Sequence, residues 1–451
     1  MSRIARLSSA DAAWLHMETP TNLMMITGLL FLDSEPDFEW LVQVLEHRLC
    51  HYERFRLKVV EKGVLSHPHW EAMRGFDVRS HLVYERLDQP AEECFLDRVS
   101  ELMSESLDRA SPLWEFRVFP GVNGGCALVV RLHHAIADGM ALMRVLLSLC
   151  DCSRDAPRPV AQDRPEHTET RRSVFAVAKR LASSLLHEGH DLLLHPSQAV
   201  ELAHWSVQAG KSLAHVLALG PDAPNMYQGE LTSKKVVALS PPICLDSVKG
   251  LGKRLGCTIN DVLLGVLAGA LGRAIRRREE LPCHSILRVV VPIDLRGGNV
   301  SELGNKFGLV FLSLPVGEPD PRKRLQKVHQ AMAELKGSAE AVVTFELLSA
   351  VGVLPSEVEK TIIEWFGGKA TAVVTNLPGP RRPLFLAGSK IESVMYWVPQ
   401  SGRLALGISL MSYSGQIRLG VTTDFAIEPC PRSIVDDYLD ALAEIKALEA
   451  V

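Results

Sequence analysis

Between Ser153 and Thr170 the chain reads SRDAPRPVAQDRPEHTET, rich in Pro, Arg and acid with almost nothing to bury. Such a stretch reads as a surface linker. It constrains the fold because strand and helix patterns lie on both sides of it and each side needs a core. A chain of 451 residues, 47% hydrophobic, is also too long for a single core. The division expected is an N-terminal domain over 1–152, a linker and helical connector over 153–229, and a C-terminal domain over 230–451.

Periodicity fills in both halves. Before the linker it predicts helices near Phe38–Leu49, Glu92–Leu107 and Met140–Leu149, with strands near Phe55–Val60, Glu115–Phe119 and Cys126–His133. The connector carries two helical patterns, Ser173–Leu194 and Ser197–Leu219, and Gly220-Pro221 stops the second. Beyond it come a strand Lys235–Leu239 and helices Asp246–Leu255 and Ile259–Arg277. Strands follow at Ile286–Pro292, Leu309–Pro315, Ala372–Asn376, Lys390–Val398, Leu404–Tyr413 and Gln416–Asp424, and a helix Arg432–Leu448 closes the chain. Strands and helices mix in both halves with hairpin-like spacing late on. The class is α/β, two domains with mixed sheets, rather than one doubly wound domain.

Several classes of function drop out. A net charge of -4 without a long basic run gives no electrostatic reason to bind nucleic acid. Nine scattered cysteines without a CxxC pair suit a reduced, cytoplasmic protein. The opening MSRIARLSSADAAW lacks the apolar segment of a secretory signal. The apolar runs Leu23–Leu32 and Val262–Gly272 are about half the length of a membrane span, which leaves attachment to a membrane surface open.

Tempting motifs fail on spacing. Gly210-Lys211-Ser212 would end a phosphate loop only with glycine at Trp205, and Gly250, Gly252 and Gly256 are too widely spaced for a dinucleotide turn. His187 and His190 lack the i,i+4 spacing of a zinc helix, so no metal site is expected. Gly407-Ile-Ser409-Leu-Met411 has Met where a nucleophile elbow needs its second glycine. Cys126 lies in the strand leading to His134, about 26 Å away along it, and cannot form a dyad with that histidine.

What remains is LVVRLHHAIADG, Leu128 to Gly139, an apolar strand that ends in two imidazoles and tips into a helix. Adjacent strand residues face opposite ways, so His133 and His134 do not enter one pocket together. A neutral imidazole held at a strand end suits a general base near pH 7. Asp138 would orient it, lock the loop against a distant arginine, or simply cap the next helix. Gly139 permits tight backbone geometry where that helix starts.

HHAIADG resembles the HHxxxDG signature of the coenzyme-A-dependent acyltransferase superfamily. Pro112-Leu113-Trp114-Glu115, Asn260-Asp261 and Asn376-Leu377-Pro378-Gly379-Pro380 resemble the PLWE, ND and NVPGP elements of bacterial wax ester synthase/diacylglycerol acyltransferases, with Leu377 in place of Val. The opening LSSADAAWLHMETP is similar as well, so the resemblance runs from about residue 7 to 425. It implies two chloramphenicol-acetyltransferase-like domains with the active site between them and a channel through the molecule. His134 would deprotonate the acceptor hydroxyl, which attacks the acyl-CoA thioester directly, without acyl-enzyme, metal or resident cofactor. Acyl-CoA and diacylglycerol or a fatty alcohol are the implied substrates. The same fold also admits a polyketide or glycolipid acceptor, or a lipid-binding protein without chemistry. Relatives often pair the motif aspartate with arginine, which makes Arg296 in VVVPIDLRG the candidate partner of Asp138. The oxyanion donors expected are the backbone amides near Gly139 or the Asn376 amide.

The other motif residues also have structural readings. Thr258 and Asp261 fit a helix-start box, with Asn260 shaping the site from behind. Pro112, Leu113 and Trp114 would pack the following strand, and Pro378-Gly379-Pro380 would hold Asn376 still as a rigid turn. Association with the inner membrane face or lipid droplets would fall to the connector. Val174, Ala178, Leu181, Leu185 and Leu192 share a face there, Lys179 and Arg180 lie largely off it, and Trp205 and Lys211 follow.

Overall fold

The computed structural model describes residues 5–61, 67–160, 208–296, 304–351, 356–400 and 402–448. The first connector helix, His187, His190 and Trp205 lie outside these. Of the second connector helix, residues 208–218 are described and helical.

The continuous apolar run Cys126–His133 becomes a strand buried along its whole length. That is what a strand covered on both faces requires. It lies inside a sheet ordered Phe385–Leu386, Ser389–Trp397, Met25–Leu32, Cys126–His133, Trp114–Pro120, Leu82–Tyr84. The pairing of Leu82–Tyr84 with Trp114–Pro120 is parallel and the others are antiparallel. A second sheet runs Phe307–Leu314, Leu287–Asp294, Ala372–Pro378, Leu406–Tyr413, Gln416–Asp424, Lys235–Leu239. Its two pairings through Ala372–Pro378 are parallel. Both large sheets are mixed. A small sheet of Ala5–Arg6, His69–Ala72 and Leu57–Val60 stands beside them.

The strand Ser389–Trp397 comes from the C-terminal half yet pairs with Met25–Leu32, placing Val394 opposite Leu30. A boundary at residue 230 therefore divides the chain but not the sheets. The edges of the second sheet are closed by helices that lend side-chain oxygens to its free amides. On one edge Ser104 and Ser100, from the helix Glu92–Ser104, accept from Lys235 N at 2.9 Å and Val237 N at 3.1 Å. On the other, in the helix Glu340–Val351, Thr344 accepts from Leu309 N at 2.8 Å and Glu340 from Phe311 N at 2.6 Å. Such cover removes the template that an open edge offers to other chains. Gly308 allows the close approach, since a Cβ there would lie 1.6 Å from the Ala341 carbonyl.

The helix Ile259–Arg276 is buried almost all round and packs with Pro321–Lys336 and Arg432–Ala447 in the C-terminal core. No single helix among the described residues is long and apolar enough to cross a membrane. The pair Leu245–Leu255 and Ile259–Arg276 passes that test together, but it bends by 95° and belongs to the core.

Among the described residues the expected elements recur with ends shifted by a few residues, and several unexpected ones join them. The run at Leu23–Leu32 is the strand Met25–Leu32. Helices Pro321–Lys336, Glu340–Val351 and Ser356–Gly367 fill a region for which no element was predicted. The first is a polar sequence whose buried apolar residues are Leu325, Val328 and Met332, on one face. Only an opposing helix gives so thin a stripe its meaning.

Candidate active site

The HHAIADG segment ends a strand and starts a helix, as its sequence suggests. His133 closes the ladder opposite Met25, and the His134 amide bonds the Met24 carbonyl at 2.7 Å. The helix that comes next runs Gly139–Leu149 with Asp138 as its N-cap, accepting from Ala141 N at 3.0 Å.

The two histidines part company. His133 Nε2 lies 3.0 Å from Glu18 Oε2, and its Nδ1 accepts from Ala135 N at 3.0 Å. Burial raises the Glu18 carboxyl, but His133 and Arg109 overcome it and hold it at about 2. His134 instead stacks on Trp14, ring centroids 3.9 Å apart, with Phe307 5.8 Å away. It is 7% exposed, and burial pushes its imidazole down to about 4 although the nearby Asp138 charge works the other way. The ring is neutral at pH 7, and its Nδ1 is buried without a hydrogen-bond partner.

Asp138 joins the two halves of the chain. Arg296 donates to both its carboxylate oxygens, at 3.1 Å through Nη1 and by a shorter contact through Nη2, and Lys306 N donates at 3.0 Å. Arg296 is held in turn by Asp294 at 2.8 Å and the Gly304 carbonyl at 2.5 Å. The aspartate is thus a helix cap and an arginine partner at once.

Gly139 departs from expectation. It is absent from the residues with positive φ, and a Cβ there would meet only Leu377 Cδ1, at 3.7 Å. Its backbone does not require glycine, and a Cβ at that position would only reach ordinary contact with Leu377 of the Asn376–Pro380 motif. Asn376 Nδ2 donates to Asn260 Oδ1 at 3.0 Å, so two distant motifs meet in one contact and one amide N–H of Asn376 is already engaged. Gly379 N bonds the Ser412 carbonyl at 2.8 Å, pinning the turn beyond Asn376.

The remaining motif residues are structural in their contacts. Asp261 and Thr258 form the expected reciprocal helix-start box, at 2.9 and 3.1 Å, and His329 adds a contact to Asp261 at 2.7 Å. Pro112 and Leu113 are buried, and the Leu113 carbonyl accepts from His133 N at 3.0 Å. Trp114 donates to the Phe55 carbonyl at 2.8 Å and stacks on His81. Cys126 is buried in its strand, and burial pushes its thiol up to about 12, far from a reactive thiolate.

Sequence reasoning missed the residues that position His134. Asn305 donates to the His134 carbonyl at 2.9 Å and to Asp11 at 2.8 Å; Asp11 lies 3.0 Å from Arg54, which donates to the Ile136 carbonyl at 2.8 Å. The available signal was the pair Asp11 and Trp14, one turn apart in a helix whose burial leaves the aspartate fully enclosed. A buried carboxylate needs partners, and those partners belong to the site.

The WS/DGAT catalytic domain, described as wax ester synthase/diacylglycerol acyltransferase, matches residues 7–263, and the WS/DGAT C-terminal domain matches residues 303–446. The chain belongs to the wax ester synthase/diacylglycerol acyltransferase family. A relative in Mycobacterium tuberculosis, named as a diacylglycerol O-acyltransferase, is 26% identical over 98% of this chain and 96% of its own. The O-acyltransferase WSD of Acinetobacter baylyi is also 26% identical, over 78% of this chain and 77% of its own. Among solved structures, the wax ester synthase/diacylglycerol acyltransferase of Marinobacter aquaeolei superposes with a TM-score of 0.70 at 22% identity, covering 99% of this chain and 100% of that one. A condensation domain of the calcium-dependent antibiotic synthetase reaches 0.63 at 16% identity, covering 98% and 96%. These likenesses carry the two-domain acyltransferase fold, and with the family they make this chain an O-acyltransferase. Residues of both halves, Trp14 and Asp138 from one, Arg296, Asn305, Phe307 and Leu377 from the other, surround His134 and the loop after it.

Proposed function

We propose that this enzyme moves a long-chain acyl group from acyl-CoA to the free hydroxyl of diacylglycerol, or to a fatty alcohol, with His134 as general base. The observation that carries the reading is a buried, neutral imidazole with an unpartnered ring nitrogen, placed where both halves of the chain meet. Such a ring can take the acceptor's proton as its oxygen attacks the thioester carbonyl. The tetrahedral intermediate then collapses, the C–S bond breaks, and the imidazolium returns the proton to the leaving thiolate. These steps need no acyl-enzyme, metal or resident cofactor, and the raised thiol argues against Cys126 as a covalent nucleophile. The oxyanion donors we favour are the second N–H of Asn376 and the amides that start the Gly139 helix.

A lipid acceptor also places the enzyme at a membrane or lipid-droplet surface. Leu213 and Leu217, one turn apart and 37% and 51% exposed, support that beside the exposed Lys211. The test of the reaction offers labelled palmitoyl-CoA with diacylglycerol, with hexadecanol, or with no acceptor. Label is expected in triacylglycerol or wax ester. Release of free fatty acid independent of acceptor, or no turnover at all, would overturn the reading.

A further inference from the structure

The strand that carries Asn376 ends in a turn that the reaction itself leaves unused. After Pro378-Gly379-Pro380 come Arg381 and Arg382, both exposed, then Pro383. Among the described residues neither arginine has an ion pair, a hydrogen bond or an aromatic partner. Other arginines, such as Arg79, Arg98, Arg117, Arg277 and Arg278, are paired with carboxylates.

The turn is also held at both ends. The Pro380 carbonyl accepts from Ser414 N at 2.9 Å, and the Tyr413 hydroxyl accepts from Leu384 N at 2.7 Å. Tyr413 in turn donates to the Ile391 carbonyl at 3.1 Å. Two prolines and two anchors leave little backbone freedom to lose when a ligand arrives.

Its position is defined by Leu377, which touches the Gly139 position at the start of the active-site helix. Phe385 exchanges backbone bonds with Asp151, just past the other end of that helix, at 2.7 and 2.9 Å. The arginines are four and five residues past Leu377, so they stand within about 17 Å of it at full extension. They are exposed at the surface, while His134 is buried.

We propose that Arg381 and Arg382 bind the phosphates of the coenzyme A moiety of the acyl donor. The inference rests on the acyl-CoA reading above. In that donor the long pantetheine arm separates the thioester from the nucleotide phosphates. A thioester at the buried His134 therefore requires its phosphate site nearer the surface. Guanidinium groups match phosphate oxygens in two-point hydrogen bonds, and unpaired ones meet the ligand with no internal ion pair to break. The arm would run past Gly139 and Leu377.

The test compares wild type with Arg381→Glu/Arg382→Glu and with Arg381→Lys/Arg382→Lys. KM is measured for palmitoyl-CoA and for palmitoyl-pantetheine, which lacks the nucleotide phosphates, and binding of free CoA is measured by calorimetry. The charge reversal is expected to raise KM for palmitoyl-CoA roughly tenfold and to weaken CoA binding alike, with the Lys pair between. The palmitoyl-pantetheine KM should stay as in wild type. Unchanged CoA binding, or equal effects on both donors, would overturn the proposal. So would a variant that loses binding to anionic phosphatidylglycerol vesicles but not to CoA, since the arginines would then serve a membrane. A wild type that binds CoA through these arginines yet transfers no acyl group would overturn the reaction and leave the site standing.

Discussion

Removing the guanidinium of Arg296 tests how the two halves hold the active-site loop. Asp138 and Arg296 have side chains 5% and 1% exposed and meet through both guanidinium nitrogens. In Arg296→Met the carboxylate keeps Ala141 N and Lys306 N but loses its counter-charge in a buried site. Breaking a buried pair from one side costs about 3–5 kcal/mol. Asp138→Asn keeps one oxygen for the helix cap and loses the charge-assisted bonds, at about 1.5–3 kcal/mol. Arg296 retains Asp294 and the Gly304 carbonyl in that variant. Once either partner is gone, losing the second should cost far less, so the double variant should fall short of the sum by about 2 kcal/mol. Urea unfolding of the four proteins measures this. One transition is expected, because Ser389–Trp397 ties the C-terminal half into the first sheet. Activity should fall with stability in each single variant, since the same carboxylate fixes the loop after His134. Losses that add to within about 0.5 kcal/mol would refute the coupling.

His134→Ala should reduce acyl transfer by about 10²–10⁴-fold; a variant keeping more than a tenth of the rate would remove His134 as base. Its fold should survive, with a modest drop in melting temperature from the lost Trp14 stack, read by calorimetry. His133→Ala should chiefly destabilise, by about 1–3 kcal/mol, because it strips a partner from the half-buried Glu18 and the acceptor from Ala135 N. The His134 imidazole sits at about 4 folded against an ordinary 6.5, so the unfolded chain takes that proton first. Its contribution is full above pH 6.5 and is lost as pH falls toward 4, by about 1.4 kcal/mol per unit. The slope of stability against pH in that window should shrink in His134→Gln, and an unchanged slope would contradict the depressed value. Trp114→Phe should cost about 1–2 kcal/mol through the lost bond to the Phe55 carbonyl, with kcat retained; a fall in kcat at unchanged stability would give Trp114 a role in the site.

The sequence by itself determined the features that obey local rules. Strand alternation separates His133 from His134, and the two rings do face different partners. The spacing of Thr258 and Asp261 encodes a helix start that needs no distant residue. The mixed α/β class came from alternating patterns in each half, and the family resemblance supplied Arg296 as the partner of Asp138. Tertiary structure decided the rest. Nothing local links Asn260 to Asn376, or Asn305 to Asp11 and His134, because each contact forms only when sheets from both halves pack together. The transfer of Ser389–Trp397 into the first sheet is equally invisible, since a buried strand's pattern specifies its two faces but not which edge it joins. The same holds for the neutrality of His134. An imidazole's charge at pH 7 depends on how completely it is removed from water, and the rings beside it, Trp14 and Phe307, are remote in the chain and brought there only by the fold.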